Sequence, residues 1–139
     1  MLRFAVSLLC VCAFFFITLA APVPDLAGLG ELIKRTPYYT TSTYFYVGQG
    51  ACGSWSKDSD HIVALGANHY GTGAHCGQYI YVENTSTHQS VYAKILDECE
   101  SCTGSDRIDL SPSAFTEIGE MSTGVLDVVW HFMPEGWSP

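Results

Sequence analysis

Cationic side chains are scarce in this chain. Its 139 residues carry 6 Lys and Arg against 14 Asp and Glu, a net charge of −8. Past residue 35 the only cations are Lys57, Lys94 and Arg107. Such a surface repels phosphate backbones and anionic lipid, which excludes nucleic acid as a partner and suits a neutral polysaccharide or a basic protein. No apolar run of spanning length follows residue 20, so no membrane segment is expected once the first residues are removed. The 5 histidines are scattered, with no i, i+4 pair and no carboxylate at ligand spacing, so no metal is expected. No glycine-rich dinucleotide fingerprint is present, so no cofactor is expected, and no serine sits in a nucleophile elbow. Internal repeats and coiled-coil heptads are lacking too.

What is present begins with Met1-Leu2-Arg3 and an apolar run from Phe4 to Ala20 with small residues at Thr18 and Ala20. One positive charge, an apolar core and a small-residue end describe a secretory signal peptide over residues 1–20, and hence a secreted, extracellular product. Residues 21–35, rich in proline and glycine, end in the dibasic pair Lys34-Arg35 and read as a removable pro-segment. The remainder, 36–139, is one small domain. Cys10 and Cys12 leave with the signal peptide, and Cys52, Cys76, Cys99 and Cys102 stay. Four cysteines in a small secreted domain read as two disulfides, with three connectivities open. Zinc is the rival for Cys99-x-x-Cys102, but Cys52 and Cys76 lack ligand spacing. Asn84-Thr85-Ser86 is a glycosylation sequon in a polar stretch between two alternating runs, where an exposed hairpin tip is expected.

Strand-forming residues recur at short intervals. Thr36 to Val47 is rich in Thr and Tyr, and Ile62 to Leu65 is a short apolar strand. Gln78 to Glu83 and Ser90 to Leu96 alternate, and Asp127 to Phe132 forms a last strand. One helix is well marked, with Ser111 as N-cap, Pro112 at the first position, Ala114, Phe115 and Ile118 on its buried face, and Gly119 as the stop. A compact, mainly β barrel with one or two short helices follows.

The chemistry concentrates in LDECESCTGSDRIDLSPSAF, where Asp97 and Asp109 bracket a cysteine-bearing loop. Two carboxylates in one cleft suit glycosidic-bond chemistry and equally suit hydrogen bonding to sugar hydroxyls. The structural alternatives are helix capping for Asp109 and loop bracing for Asp97. Tyr44, Tyr46, Trp55 and Tyr70 are candidate sugar-stacking aromatics, with Tyr44 and Tyr46 expected nearer the groove or surface and Phe45 in the core. His69 is expected to border the groove, and Trp130 to lie in the core.

TYFYVGQGACG, HIVAL, HCGQYIYV, LDECESC, IDLSPSAF and GVLDVVW follow one another in an order that resembles the double-psi β-barrel superfamily. That superfamily holds the first domain of expansins, the rare lipoprotein A-like domain, barwin and family-45 endoglucanases. The chain resembles in particular the small single-domain secreted fungal members, some called riboflavin aldehyde-forming enzymes. The resemblance covers nearly all of Tyr39 to Phe132 and implies a six-stranded double-psi barrel with a shallow open groove, expected as a monomer. It implies that Asp109 is the groove aspartate that acts as general acid in true hydrolases, and that Asp97 is the second. Thr43 and Tyr44 match the threonine–tyrosine pair of the first strand. It also implies a Cys52–Cys76 bridge, leaving Cys99–Cys102 as a local one. Two departures stand out. Thr43-Tyr44-Phe45-Tyr46 lacks the first-strand catalytic-base aspartate of the endoglucanases, and Gly53-Ser54-Trp55-Ser56 lacks the Asn-Gly-Glu element of the transglycosylase branch. The expected function is non-hydrolytic binding and loosening of cellulose, glucan or chitin. The alternatives are an extracellular interaction protein that uses loops such as Asp58 to His75, and a weak glycan-cleaving enzyme with Asp109 as its only acid.

Overall fold

Six short strands pair until the last meets the first, in a computed structural model that describes residues 36–102 and 104–139. The expected signal peptide and pro-segment lie outside the described residues. The strands are β1 (Tyr38–Tyr44), β2 (Ile62–Gly66), β3 (Tyr79–Asn84), β4 (Ser90–Cys99), β5 (Ile108–Leu110) and β6 (Leu126–Phe132), closed in the order β1-β5-β2-β4-β3-β6. β1–β5 and β2–β4 are parallel and the other pairs antiparallel. Closure removes the unpaired edges that would otherwise template aggregation. No helix among the described residues is long and apolar enough to cross a membrane.

The period-2 pattern sorts side chains to two faces. Val63, Leu65, Ile80, Val82, Ile95, Ile108, Leu110, Val128 and Trp130 point inward and form the main core. Two short helices join it: α1 (Ala67–Tyr70), which the sequence did not mark, and α2 (Pro112–Ile118). α2 forms as its local signals dictate. Ser111 Oγ accepts from Ala114 N at 3.4 Å, and Gly119 N closes the last turn on the Phe115 carbonyl at 3.0 Å. Ser111 also ties α2 to β2, accepting from Ile62 N at 3.0 Å and donating to the Asp60 carbonyl at 2.6 Å. The disulfides are Cys52–Cys76 and Cys99–Cys102, the pairing the resemblance implied.

The β2–β4 ladder slips by one residue. Val63 pairs with Ile95 but Ala64 pairs with Asp97, so Leu96 is an extra residue on β4. A bulge frees backbone groups from the ladder. The freed Leu96 carbonyl accepts from Cys52 N at 3.1 Å, which draws the loop 48–53 onto the barrel.

The β3–β4 hairpin overturns one expectation. Asn84 is only 4% exposed, not at an open tip. Its Nδ2 donates to the Ile118 carbonyl at 2.7 Å and its Oδ1 accepts from Ser86 N at 2.9 Å. A turn's asparagine readily folds back on its own backbone, and here that rotation turns it inward. A glycan on Nδ2 would have to displace both the Ile118 bond and the surrounding packing. The folded protein is therefore expected to carry no glycan at Asn84. Peptide mapping after glycosidase treatment checks this, and a glycosylated Asn84 in the folded fraction would contradict the burial.

Candidate functional site

Four residues stand side by side across four strands. Thr43 of β1 registers with Asp109 of β5, Asp109 with Ala64 of β2, and Ala64 with Asp97 of β4. Residues in register on neighbouring strands share a face. Val63 and Leu65 occupy the inner face, so this row lies on the outer one. Ala64 forms the floor beside a second, smaller cluster made of Cys99, Cys102 and Phe45. Its methyl group is what leaves space between the two carboxylates. At about 4.8 Å per strand, the two aspartate backbones stand roughly 9–10 Å apart.

Asp109 does not cap α2, because Ser111 takes that role. Its Oδ1 accepts from the Thr43 hydroxyl. Its Oδ2 lies 3.3 Å from Cys99 Sγ, a sulfur that carries no proton in the disulfide, so that approach is packing rather than a hydrogen bond. Asp97 braces a loop as well as joining the row: Oδ1 accepts from Ala51 N at 2.8 Å and Glu98 N at 2.9 Å. Its other oxygen has no partner among the described residues. No cation pairs with either aspartate there. Cys99, Cys102 and Asp109 bring three potential ligand atoms within 4.8 Å of one another, but both sulfurs are spent in the disulfide and offer no thiolate.

The expected aromatics fall elsewhere. Tyr44 packs on the main core, edge-on to Phe115 at 5.1 Å, while Phe45 covers the outer cluster, the reverse of what was expected for these two residues. Tyr70 is buried in the core. Tyr46 is 73% exposed and Trp55 77% exposed, and neither belongs to the row. Trp130 is fully buried, as expected. His69 acts as a bracket. Its Nε2 meets Asp106 Oδ1 at 2.7 Å, its ring packs on Tyr38 and Trp130, and Trp130 Nε1 donates to the Asp106 carbonyl at 2.8 Å. Asp106 and His69 thus anchor the segment that leads into β5 and Asp109.

Sequence reasoning missed Ala64, visible only as a small residue in an otherwise bulky strand, and Asp106. It also missed an aromatic wall on the outer face of β3, β4 and β6, signalled by the alternation of Tyr79 and Tyr81. At its margin Tyr81 donates to Glu83 at 2.8 Å and His88 meets the same carboxylate at 2.8 Å. The His88 bond first, then that from Tyr81, hold the Glu83 carboxyl below its ordinary value. For the Tyr81 phenol a Ser90 bond acts to lower the value, but burial and then Glu83 outweigh it and raise it. The Glu83 contribution is present above the ordinary carboxylate value and is lost as pH falls through the lower folded one.

The family model described as Kiwellin-1 matches residues 45–135. The chain belongs to the kiwellin family. The chain is also similar to expansin-like protein 3 of Dictyostelium discoideum, with 42% identity over 69 residues that make up 48% of this chain and 20% of that protein. It therefore spans well under two thirds of that relative's length. Its fold matches a variant of the Clavibacter michiganensis expansin in complex with cellohexaose at a TM-score of 0.66 and 21% identity, over 75% of this chain and 54% of that one. It matches the Streptomyces papain inhibitor at a TM-score of 0.65 and 27% identity, over 72% of this chain and 96% of that one. The mixed six-stranded barrel is thus the fold it shares with expansin.

Proposed function

We propose that this kiwellin is an extracellular protein that binds cell-wall polysaccharide and loosens it without hydrolysis. The observation that carries this reading is the row Thr43–Asp109–Ala64–Asp97, two carboxylates on an open face with a small floor between them. Glycan hydroxyls would donate to Asp109 and to the unbonded oxygen of Asp97, displacing the contacts that chains make with each other. An inverting hydrolase needs a second carboxylate free to activate water. The first strand offers Thr43 instead, and Asp97 already accepts two backbone amides through Oδ1. The expansin bound to cellohexaose supports a glucan as ligand. The narrower likeness to small fungal members adds no chemistry of its own.

The test is retention on insoluble cellulose, chitin and fungal wall glucan, with wild type beside Asp109→Asn and released sugar assayed in the supernatants. Wild type is expected to bind without sugar release. The loss of one charged acceptor is expected to weaken binding about tenfold or more, the scale of a hydrogen bond to a charged group. Sugar release that Asp109→Asn abolishes would instead make the protein a glycan-cleaving enzyme.

One observation favours a second reading. The papain inhibitor is nearly covered by this chain, 96% of its length, so a single barrel of this kind suffices for a protein-binding activity in that relative. If all three polymers fail to retain the protein, an extracellular protein partner becomes the better account, engaged by the largely exposed segments 58–61 and 71–75 on either side of β2 and α1.

A further inference from the structure

The outer face of β3, β4 and β6 is a wall of rings. Tyr81 lies between its register partners Tyr92 and His131, with centroids at 5.5 Å and 5.2 Å. Trp137 leans on Tyr92 at 4.6 Å and on Tyr79 at 5.9 Å. Two open hollows flank the Tyr92–Trp137 ridge. One, of about 350 Å³, is lined by Tyr81, Tyr92, His131, Pro134 and Trp137 among others. The other, of about 420 Å³, includes Trp55, Asp60, Tyr79, Tyr92 and Lys94. The wall and the aspartate row share one strand, β4. An acidic barrel of this size has no structural need for so many half-exposed rings on one face, since its core is complete without them.

The ring geometry selects the ligand. Successive planes are tilted by 59° between Tyr81 and Tyr92, by 47° between Tyr92 and Trp137, and by 82° between Trp137 and Tyr79. A flat polysaccharide surface needs coplanar rings; Tyr81 and His131, at 24°, come near that, while the Tyr and Trp pairs form ridges and slots. Slots between tilted Tyr and Trp rings are what a polyproline helix fits, its pyrrolidine rings seated between aromatics and its unpaired carbonyls met by donors from Tyr, Trp, Lys or His. Lys94, 5.8 Å above the Tyr79 ring, supplies such a donor inside the second hollow. The chain's own Pro134 lines the first hollow together with Trp137. Charge sets the flanks: Glu83, held by Tyr81 and His88, adjoins the first hollow, and Asp60 lines the second along with Lys94. We propose that this wall is a docking site for an extended, proline-rich peptide segment with basic residues at its ends.

The site is distinct from the aspartate row, so the test can fail without touching the polysaccharide reading. A synthetic oligoproline flanked by lysines is titrated into the isotope-labelled secreted protein. Amide shifts are followed by NMR, beside cello- and chito-oligosaccharides and a glutamate-flanked oligoproline. The expected result is saturable shifts at Tyr79, Tyr81, Tyr92, His131 and Trp137 with the lysine-flanked peptide. Tyr92→Ala should weaken binding about tenfold, as truncation of a central aromatic anchor does. Tyr92→Phe should retain most of the affinity, and the glutamate flanks should weaken it several-fold. Tyr92 is a surface residue, and an unchanged spectrum elsewhere shows that its variants fold. Absence of shifts at the wall, or equal affinity in Tyr92→Ala, overturns the proposal. Saturable shifts there with an oligosaccharide and not with the peptide overturn it too, and make the wall a glycan surface.

Discussion

Trp130→Ala is expected to destabilise the domain by about 4 to 6 kcal/mol. Trp130 is fully buried, and truncating a buried tryptophan costs about 3–5 kcal/mol in lost burial and residual cavity. The Asp106 carbonyl, bonded to Trp130 Nε1 at 2.8 Å, also loses its partner, which adds about 1 kcal/mol or more. Tyr38, stacked on the indole at 4.4 Å, and His69, edge-on at 5.1 Å, lose the surface they rest on. That sum approaches the whole stability of a small domain, so a thermal melt should find the variant largely unfolded at ambient temperature. Trp130→Phe separates the two parts. It refills most of the volume and removes only the donor, so it is expected to fold with a cost of about 1–3 kcal/mol, or roughly 4–8 °C per kcal/mol in Tm. Its damage should be local. NMR shifts should concentrate at Asp106, His69 and the turn into β5, because the indole is what holds the bracket behind Asp109. A Trp130→Phe variant with wild-type Tm and no such shifts would show that the Asp106 carbonyl gains nothing from the indole.

The same bracket shows where sequence reading works and where it stops. Ser111, Pro112 and Gly119 were legible because capping is local: the atoms they satisfy lie within one turn. The strands were legible because strand propensity and alternation are local too, apart from β5, whose three residues are too few to show a period. Faces were harder. Phe45 and Tyr44 were assigned on the assumption of one core, so the more apolar residue was placed inside. The barrel has a second apolar cluster on its outer face, under the Cys99–Cys102 bridge, and Phe45 serves that one. Asn84 was misplaced for a similar reason. A sequon marks a turn, but which way its asparagine rotates depends on the Ile118 carbonyl arriving from a distant helix. Asp97 and Asp109 were picked out by their spacing and by resemblance. That Ala64 lies between them depends on the Leu96 bulge, which no residue type announces.

That bulge makes Gly50 the second residue whose replacement should be costly. A Cβ at position 50 would overlap the Leu96 carbonyl oxygen and lie 3.0 Å from its carbon and 3.3 Å from Asp97 Cβ. The main obstacle is backbone, not the end of a flexible side chain, so the loop 48–53 has to retreat. Retreat stretches two bonds, Cys52 N to the Leu96 carbonyl at 3.1 Å and Ala51 N to Asp97 Oδ1 at 2.8 Å. The Cys52–Cys76 bridge limits how far the loop can go. Overpacking at about 1–3 kcal/mol and two weakened hydrogen bonds at about 1 kcal/mol each give about 3–5 kcal/mol for Gly50→Ala. Gly48→Ala is the control. It belongs to the same loop, but a Cβ there meets nothing within 4 Å, so its Tm should stay near wild type. With the Ala51 bond weakened, Asp97 Oδ1 keeps only the bond from Glu98 N, so Gly50→Ala should also loosen that carboxylate and lower polysaccharide retention, although no residue of the row has changed. A Gly50→Ala protein that melts with Gly48→Ala and keeps full retention would mean that the loop and the bulge are not in contact, and that Asp97 is placed by β4 alone.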